Sequence, residues 1–260
     1  AESEPICAIK YLLVKVKSQH MYLLKKYSGR CFLVLVFALV GLSACRKDYY
    51  LDSGLANPYF KGNVVDYLNA QPFYFDSVAA VVKLSGMEDI FKSDTITFFA
   101  PTDHSIQNLV VLCNSALYSS GYDTIRTLQD IPPEIWRKYL SIYLFHGANQ
   151  LKDYPQIDYN ILVNYPGQTY YSWDMQPMNI GVVYNDEQGV KYVGYRQLSI
   201  SYIPDAAAPM SGWTTSYVAS CNILTDNGVV HVLNDGHTFF GFDVNKFVQD
   251  VLAVFAASGK

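Results

Sequence analysis

Positive charge is scarce in this chain and unevenly placed. Of its 19 Lys and Arg, six fall before Cys45; the 216 residues from Cys45 onward carry 13, against 21 Asp and Glu, a net charge of −8. No block of Lys or Arg occurs beyond residue 44, which argues against nucleic acid or an anionic lipid surface as a partner. His-x-x-x-His and Cys-x-x-Cys spacings are missing, so no metal site is expected. Gly-x-Ser-x-Gly, a glycine-rich phosphate loop and Ser-x-x-Lys are missing as well, and with them the usual signatures of acyl and phosphoryl transfer. Neither an enzyme nor a bound cofactor is expected. Cysteine is sparse, five in all. Beyond the first 44 residues only Cys45, Cys113 and Cys221 remain. Cys113 falls in an apolar helical stretch and Cys221 in an alternating strand, so two separate thiols and one disulfide are both open readings. Internal repeats, low-complexity tracts and obvious linkers are lacking too, which points to one domain.

Long hydrophobic runs are limited to one. Met21 to Arg30 is basic, and Cys31 to Ala44 is a 14-residue apolar or small-residue run. A bilayer core needs about 20 such residues, so this run suits a signal-peptide core better than a membrane span. It ends in Leu42-Ser43-Ala44-Cys45, which resembles a bacterial lipoprotein cleavage box in which Cys45 is lipidated and becomes the first residue. Arg46-Lys47-Asp48 then resembles the short charged signal that routes lipoproteins of one Gram-negative group to the outer face of the outer membrane. The expected location is therefore the outer membrane, lipid-anchored and facing the cell exterior. Residues 1–20 precede the first Met and are read as over-translation or a cloning remnant, 21–44 as the signal peptide, 45–62 as a tether and 63–260 as the folded domain with a C-terminal helix.

The pattern along the domain changes period once. Asn63 is placed to cap a short helix over 64–69. Asp76 starts another helix that buries Val78, Val81, Val82 and Leu84, and Gly86 closes it. Thr95 to Ala100 reads as a strand ended by Pro101. Thr102 or Asp103 caps a helix carrying Ile106, Leu109, Val110 and Cys113 inward. Pro132-Pro133 opens a further helix with Ile135, Tyr139, Ile142 and Tyr143. After Gly147 the period becomes 2: Tyr171, Trp173 and Met175 alternate with Tyr170, Ser172 and Asp174. Strands at 182–184 and 190–195 flank a turn at 185–189. Leu198, Ile200 and Tyr202 alternate with serines, as do Tyr217, Ala219, Cys221 and Ile223 with their neighbours. Val229 to Leu233 is apolar on both faces, and Val244 to Phe255 is an amphipathic helix. Helices first and strands later indicate an α+β domain on an antiparallel sheet or sandwich.

Two segments carry a family resemblance covering roughly Asn63 to Leu233. Thr97, Phe99, Ala100, Pro101, Thr102 and Asp103 match the Thr-Val-Phe-Ala-Pro-Thr-Asx motif of the fasciclin (FAS1) domain, with Phe98 in place of a Val. Asn227, Gly228, Val229, Val230, His231 and Val232 match its second motif, Asn-Gly-Val-Val-His-Val. His146, in Tyr143-Leu-Phe-His, falls where the family has a Tyr-His pair. The resemblance implies a FAS1-like β-sandwich or wedge with helices packed from the N-terminal half. It also implies an adhesion or protein-interaction module whose motif residues serve the fold. His231 is expected to be a core histidine hydrogen-bonded to the first motif. His146 and His237 would need to converge with a carboxylate to hold a metal.

Tyr is unusually frequent, 22 in 260 residues, and Tyr165, Tyr170, Tyr171, Tyr184, Tyr192, Tyr195 and Tyr217 join Trp173 and Trp213 in the strand-rich half. Rings with a polar tip suit contact surfaces. His146, Tyr170, Tyr171, Trp173 and Trp213 are therefore the candidate binding residues, with surface proteins or glycans as partners. An accessory glycan-binding lipoprotein of a polysaccharide-uptake system is the alternative function. Asp76-Ser77-Val78, Asp94-Thr95-Ile96 and Asp123-Thr124-Ile125 also resemble a bacterial O-glycosylation site.

Overall fold

The computed structural model describes residues 57–236 and 239–258; the signal peptide, Cys45, most of the tether and His237 lie outside the described residues. The elements in chain order are α1 (Val64–Ala70), α2 (Pro72–Leu84), α3 (Glu88–Ser93), β1 (Ile96–Ala100), α4 (Asp103–Ser119), α5 (Pro133–Leu140), β2 (Leu144–His146), β3 (Gln156–Ile157), β4 (Gln168–Tyr171), β5 (Pro177–Tyr184), β6 (Arg196–Tyr202), β7 (Thr214–Thr225), β8 (Gly228–Leu233) and α6 (Val244–Ser258). This is an α+β fold. The strand order is β2-β1-β8-β7-β6-β5-β3, with β4 paired to β5.

The sheet is mixed, not purely antiparallel as the pattern suggested. β1 and β8, the two motif strands, pair in parallel, with Phe99 opposite His231 and Ile96 opposite Gly228. β3 and β5 are also parallel. Strand alternation reveals which residues face inward but carries no information about the direction of a distant partner.

β7 folds the sheet on itself. Thr214 to Tyr217 pair with β6, whereas Val218 to Thr225 pair with β8. Two register shifts, between Val218 and Ser220 and between Ser220 and Ile223, mark the passage. Such bulges bend a strand and increase its twist. They also break the alternation read over Tyr217 to Ile223: Val218 is buried between exposed Tyr217 and Ala219, but Ser220 after them is exposed too and Cys221 to Ile223 are all half-buried. The two halves then face each other, because Tyr170 of β4 packs edge-on against Tyr154, 5.3 Å between centroids, and Tyr154 packs against Phe99 of β1. On the other face of β1, Phe98 meets Phe91 of α3 at 4.9 Å. All five residues of β1 are consequently buried, as expected for a strand covered on both sides.

The helices start and stop much as their residues suggest. Asn63 and Asp66 form a capping box on α1. α2 ends in a Schellman motif: Met87 N–H reaches Val82 carbonyl, Gly86 N–H reaches Lys83 carbonyl, and Gly86 takes φ +67°. α2 begins four residues before the expected Asp76, at Pro72, with a break in helical geometry at Phe75. The helical run after Pro132 closes at Leu140, and Ser141 to Tyr143 continue it as a tighter 3-10 turn. α6 joins the helical layer through its Asp250 carboxylate, which accepts from both Lys138 Nζ (2.6 Å) and the Tyr139 hydroxyl (2.7 Å) of α5.

Two strand expectations fail. The hairpin after β5 has its second strand at Arg196, not at 190–195, because Asn185 closes onto Tyr195 and the chain between them forms turns with Gln188 and Tyr192 at positive φ. The alternation at Tyr170 to Met175 stops at Tyr171. Ser172 to Met175 is a tight turn, its Met175 N–H bonded to Ser172 carbonyl and its Met175 at φ 64°. Finally, residues 57–62, read as the last part of the tether, lie along β7: Phe60 N–H donates to Leu224 carbonyl and Leu224 N–H to Pro58 carbonyl.

Candidate functional site

The motif residues hold the fold, and each does so through a specific contact. Asn227, just before β8, accepts from the Val64 N–H at the start of α1 (3.0 Å). Its amide nitrogen donates to the carbonyls of Phe91 (3.0 Å) and Asp94 (2.9 Å) at the end of α3. One amide thus ties two helices to the central strand. A Cβ on Gly228 would sit 2.1 Å from the Ile96 carbonyl oxygen, so this glycine allows the close approach of β1 to β8; its role is contact, not the turn expected from the sequence. Thr97 donates to Gly147 carbonyl (2.7 Å) and accepts from Asn149 N–H (2.8 Å), fixing the chain after β2.

Asp103 corrects a capping assignment. Neither Thr102 nor Asp103 caps α4 through its side chain. Asp103 instead reaches across to the restart of α2, accepting from Asp76 N–H (2.9 Å) and Val78 N–H (3.1 Å). Burial pushes its carboxyl pKa up, and these backbone donors pull it back only in part. Thr102 donates its hydroxyl to Asp235 (3.3 Å).

His231 is a fully buried core histidine, but its hydrogen bonds do not go to the first motif. Its Nε2 donates to Asn149 carbonyl (3.0 Å) and its Nδ1 accepts from Asn222 N–H (3.2 Å). Its link to the first motif is a ring contact with Phe99 at 5.0 Å. Both nitrogens are used by the neutral ring, and burial lowers the pKa to about 4. The sequence offers one signal for this clamp: Asn222 takes φ +61°, a left-handed conformation that Asn tolerates well, at the bulge in β7.

The candidate binding residues separate into two places. His146, at the end of β2, lies against the indole of Trp173, centroids 4.1 Å apart and planes at 31°. The turn carrying Trp173 is docked by its N–H on Leu144 carbonyl (2.7 Å). Tyr171 is 58% exposed and Met175 69% exposed, so His146, Trp173 and these two residues present an accessible surface beside β2. Tyr170 points the other way, into the core against Tyr154, and is not part of it. Trp213 is elsewhere. Its indole N–H donates to Pro209 carbonyl (2.8 Å) and its ring meets Tyr159 edge-on at 6.3 Å.

Tyr159 is a residue that periodicity does not single out. Its hydroxyl donates to Ser199 Oγ (2.9 Å) and lies 3.1 Å from Ser201 Oγ, on the polar face of β6. The alternating serines were the available hint that this face receives a polar partner. Tyr217 packs edge-on against Tyr159 at 6.2 Å. Next to it, a depression of about 280 Å³ is lined by Val183, Asn185, Gln197, Ser216, Tyr217 and Asn234.

Cys113 is buried, Cys221 half-buried, and both are free thiols. No helix among the described residues is long and apolar enough to cross a membrane.

No family model and no curated protein matches this chain. Among solved structures, it is similar to the FAS1 domain pair from the insect cell adhesion molecule Fasciclin I, with 15% identity, a TM-score of 0.43, and coverage of 66% of this chain and 49% of that one. The chain spans about half the length of that domain pair.

Proposed function

We propose that this protein is a fasciclin-like adhesion or protein-interaction module held on the outer face of the outer membrane through lipid on Cys45. The observation that carries the reading is the pairing of the two motif segments as adjacent parallel strands, with the polar groups of Thr97, Asn227 and His231 bonded within the fold. With the motif residues His231 and Asp103 committed internally, the His146–Trp173 pair with exposed Tyr171 is the aromatic patch proposed for contact. Rigid aromatic anchors contribute most to protein contacts. A binding role, with no catalysis, is part of the proposal.

The test is adhesion of cells carrying the intact protein to partner cells or surface proteins. A Trp173→Ala, Tyr171→Ala double variant is expected to reduce adhesion while remaining folded at a lower melting temperature, because Trp173 also packs on the core. Undiminished adhesion by that variant sinks the platform. Anchoring is tested separately: Cys45→Ala is expected to move the protein from the membrane fraction to the soluble one, since two or three acyl chains hold a protein far more firmly than one.

A further inference from the structure

The depression beside Tyr217 has a structural origin that gives it a distinct chemistry. β6 and β7 are paired only as far as Ser199 and Tyr217; at Val218, β7 leaves β6 and joins β8. The two halves of the sheet part at this seam. The Gln197 side chain bridges the gap by donating to Val218 carbonyl (3.1 Å), in place of the next strand pair. Asn185 comes from the end of β5, its amide nitrogen held on Tyr195 carbonyl (3.1 Å). Asn234 comes from the end of β8, with its N–H on Tyr217 carbonyl (2.8 Å) and its side-chain oxygen accepting from Gly236 N–H (2.9 Å).

Three carboxamides from three strands therefore converge on one opening. Each keeps hydrogen-bonding capacity beyond the bonds just described: an oxygen and a second N–H on Asn185 and Gln197, and the amide nitrogen of Asn234. Beside them lies the Tyr217 ring, 40% exposed and steadied edge-on by Tyr159. Among the described residues, no Lys, Arg, Asp or Glu lines the opening.

We infer that this seam is a binding site for one ring of a neutral saccharide. Amides offer paired donors and acceptors that match adjacent sugar hydroxyls, an aromatic face packs on the apolar C–H face of a pyranose, and the lack of charge disfavours uronic or sialic acids. The volume, about 280 Å³, falls just below the about 300–1,000 Å³ typical of ligand pockets, a fit for a single ring and not a long chain. The site is distinct from the His146–Trp173 platform. It rests on the surface-module reading only for the protein's access to extracellular glycans.

The experiment is an array of neutral hexose and N-acetylhexosamine oligosaccharides and of uronic-acid oligosaccharides probed with the intact protein, followed by calorimetry on the tightest neutral ligand. Neutral glycans are expected to bind, with affinity falling about tenfold or more in Tyr217→Ala and in Asn185→Asp and staying near wild type in Tyr118→Ala, which removes an exposed ring of α4. Asn185→Asp keeps the side-chain shape and gives up one bond, to Tyr195 carbonyl, in a half-buried turn, so with its melting temperature measured alongside it reports on the site even if Tyr217→Ala fails to fold. The inference is overturned if no neutral glycan binds, if acidic ones are preferred, or if both seam variants bind as wild type does. Adhesion that persists without any glycan binding would overturn this site and leave the proposed module intact; glycan binding without adhesion would do the reverse.

Discussion

His231 and Asn149 are joined by a 3.0 Å hydrogen bond in which the imidazole Nε2 donates to a backbone carbonyl, deep in the core and 82 residues apart in sequence. Because Asn222 N–H already occupies Nδ1, a second proton on the ring has no acceptor. Burial holds the folded pKa at about 4, below the ordinary 6.5. The unfolded chain therefore binds a proton that the folded one refuses. Stability is fully present above pH 6.5 and is lost as pH falls towards 4, by about 3 kcal/mol over that window. Urea titrations at pH 7.5 and pH 4.5 measure it. A His231→Gln variant is expected to be less stable at neutral pH and to show a flatter slope through this range.

Asn227→Ala removes one acceptor and two donors from the junction of α1, α3 and β8. The part-buried Val64 N–H and Phe91 carbonyl left behind make this a loss of about 2–4 kcal/mol in unfolding free energy. Asn227→Asp is expected to be no better, since its carboxylate would face the carbonyls of Phe91 and Asp94. Chemical denaturation of both variants reads the difference.

Gly228→Ala places a methyl group on the Ile96 carbonyl oxygen. Backbone on the receiving side cannot yield as a side chain would, so β1 and β8 must separate. The expected outcome is insoluble protein, or a folded state several kcal/mol weaker with loss of protection of the Phe98 and Val230 amides in hydrogen exchange.

Asp103→Ala uncaps the restart of α2, not α4. A cost of about 1–2 kcal/mol is expected, with faster amide exchange at Asp76 and Val78 and unchanged exchange at the start of α4. Exchange resolved by residue distinguishes the two helices directly.

Cys113 should resist thiol reagents in the native state, because burial pushes its thiol up to about 12. Cys221 is raised too, by burial first. Ellman titration is expected to register Cys113 only after denaturant is added, and the intact mass of the oxidised protein should show no bond between the pair.

Local chemistry was readable where a signal sits within a few residues. Asn63 caps α1 as expected, Gly86 ends α2, and the switch from helical to alternating period near Gly147 reports the α+β class. The burial of β1 and β8 also follows from their runs of apolar residues on both faces. The errors lie where a partner distant in sequence intervenes. Asp103 looks like the cap of its own helix, yet the nearest unpaired N–H groups belong to α2, which packing brings beside it. Trp173 continues an alternating pattern on paper, but a bond to Leu144 carbonyl turns the chain and stacks the indole on His146.

The residues themselves thus determined which segments become helix or strand and which faces are apolar, because those depend on local sterics and periodic burial. Only the tertiary structure decided that β1 and β8 run parallel, that β7 divides itself between two partners, and that three amides meet at the seam this division opens. Those features depend on which distant groups compete for each backbone donor and acceptor, and that competition is resolved only once the chain has closed.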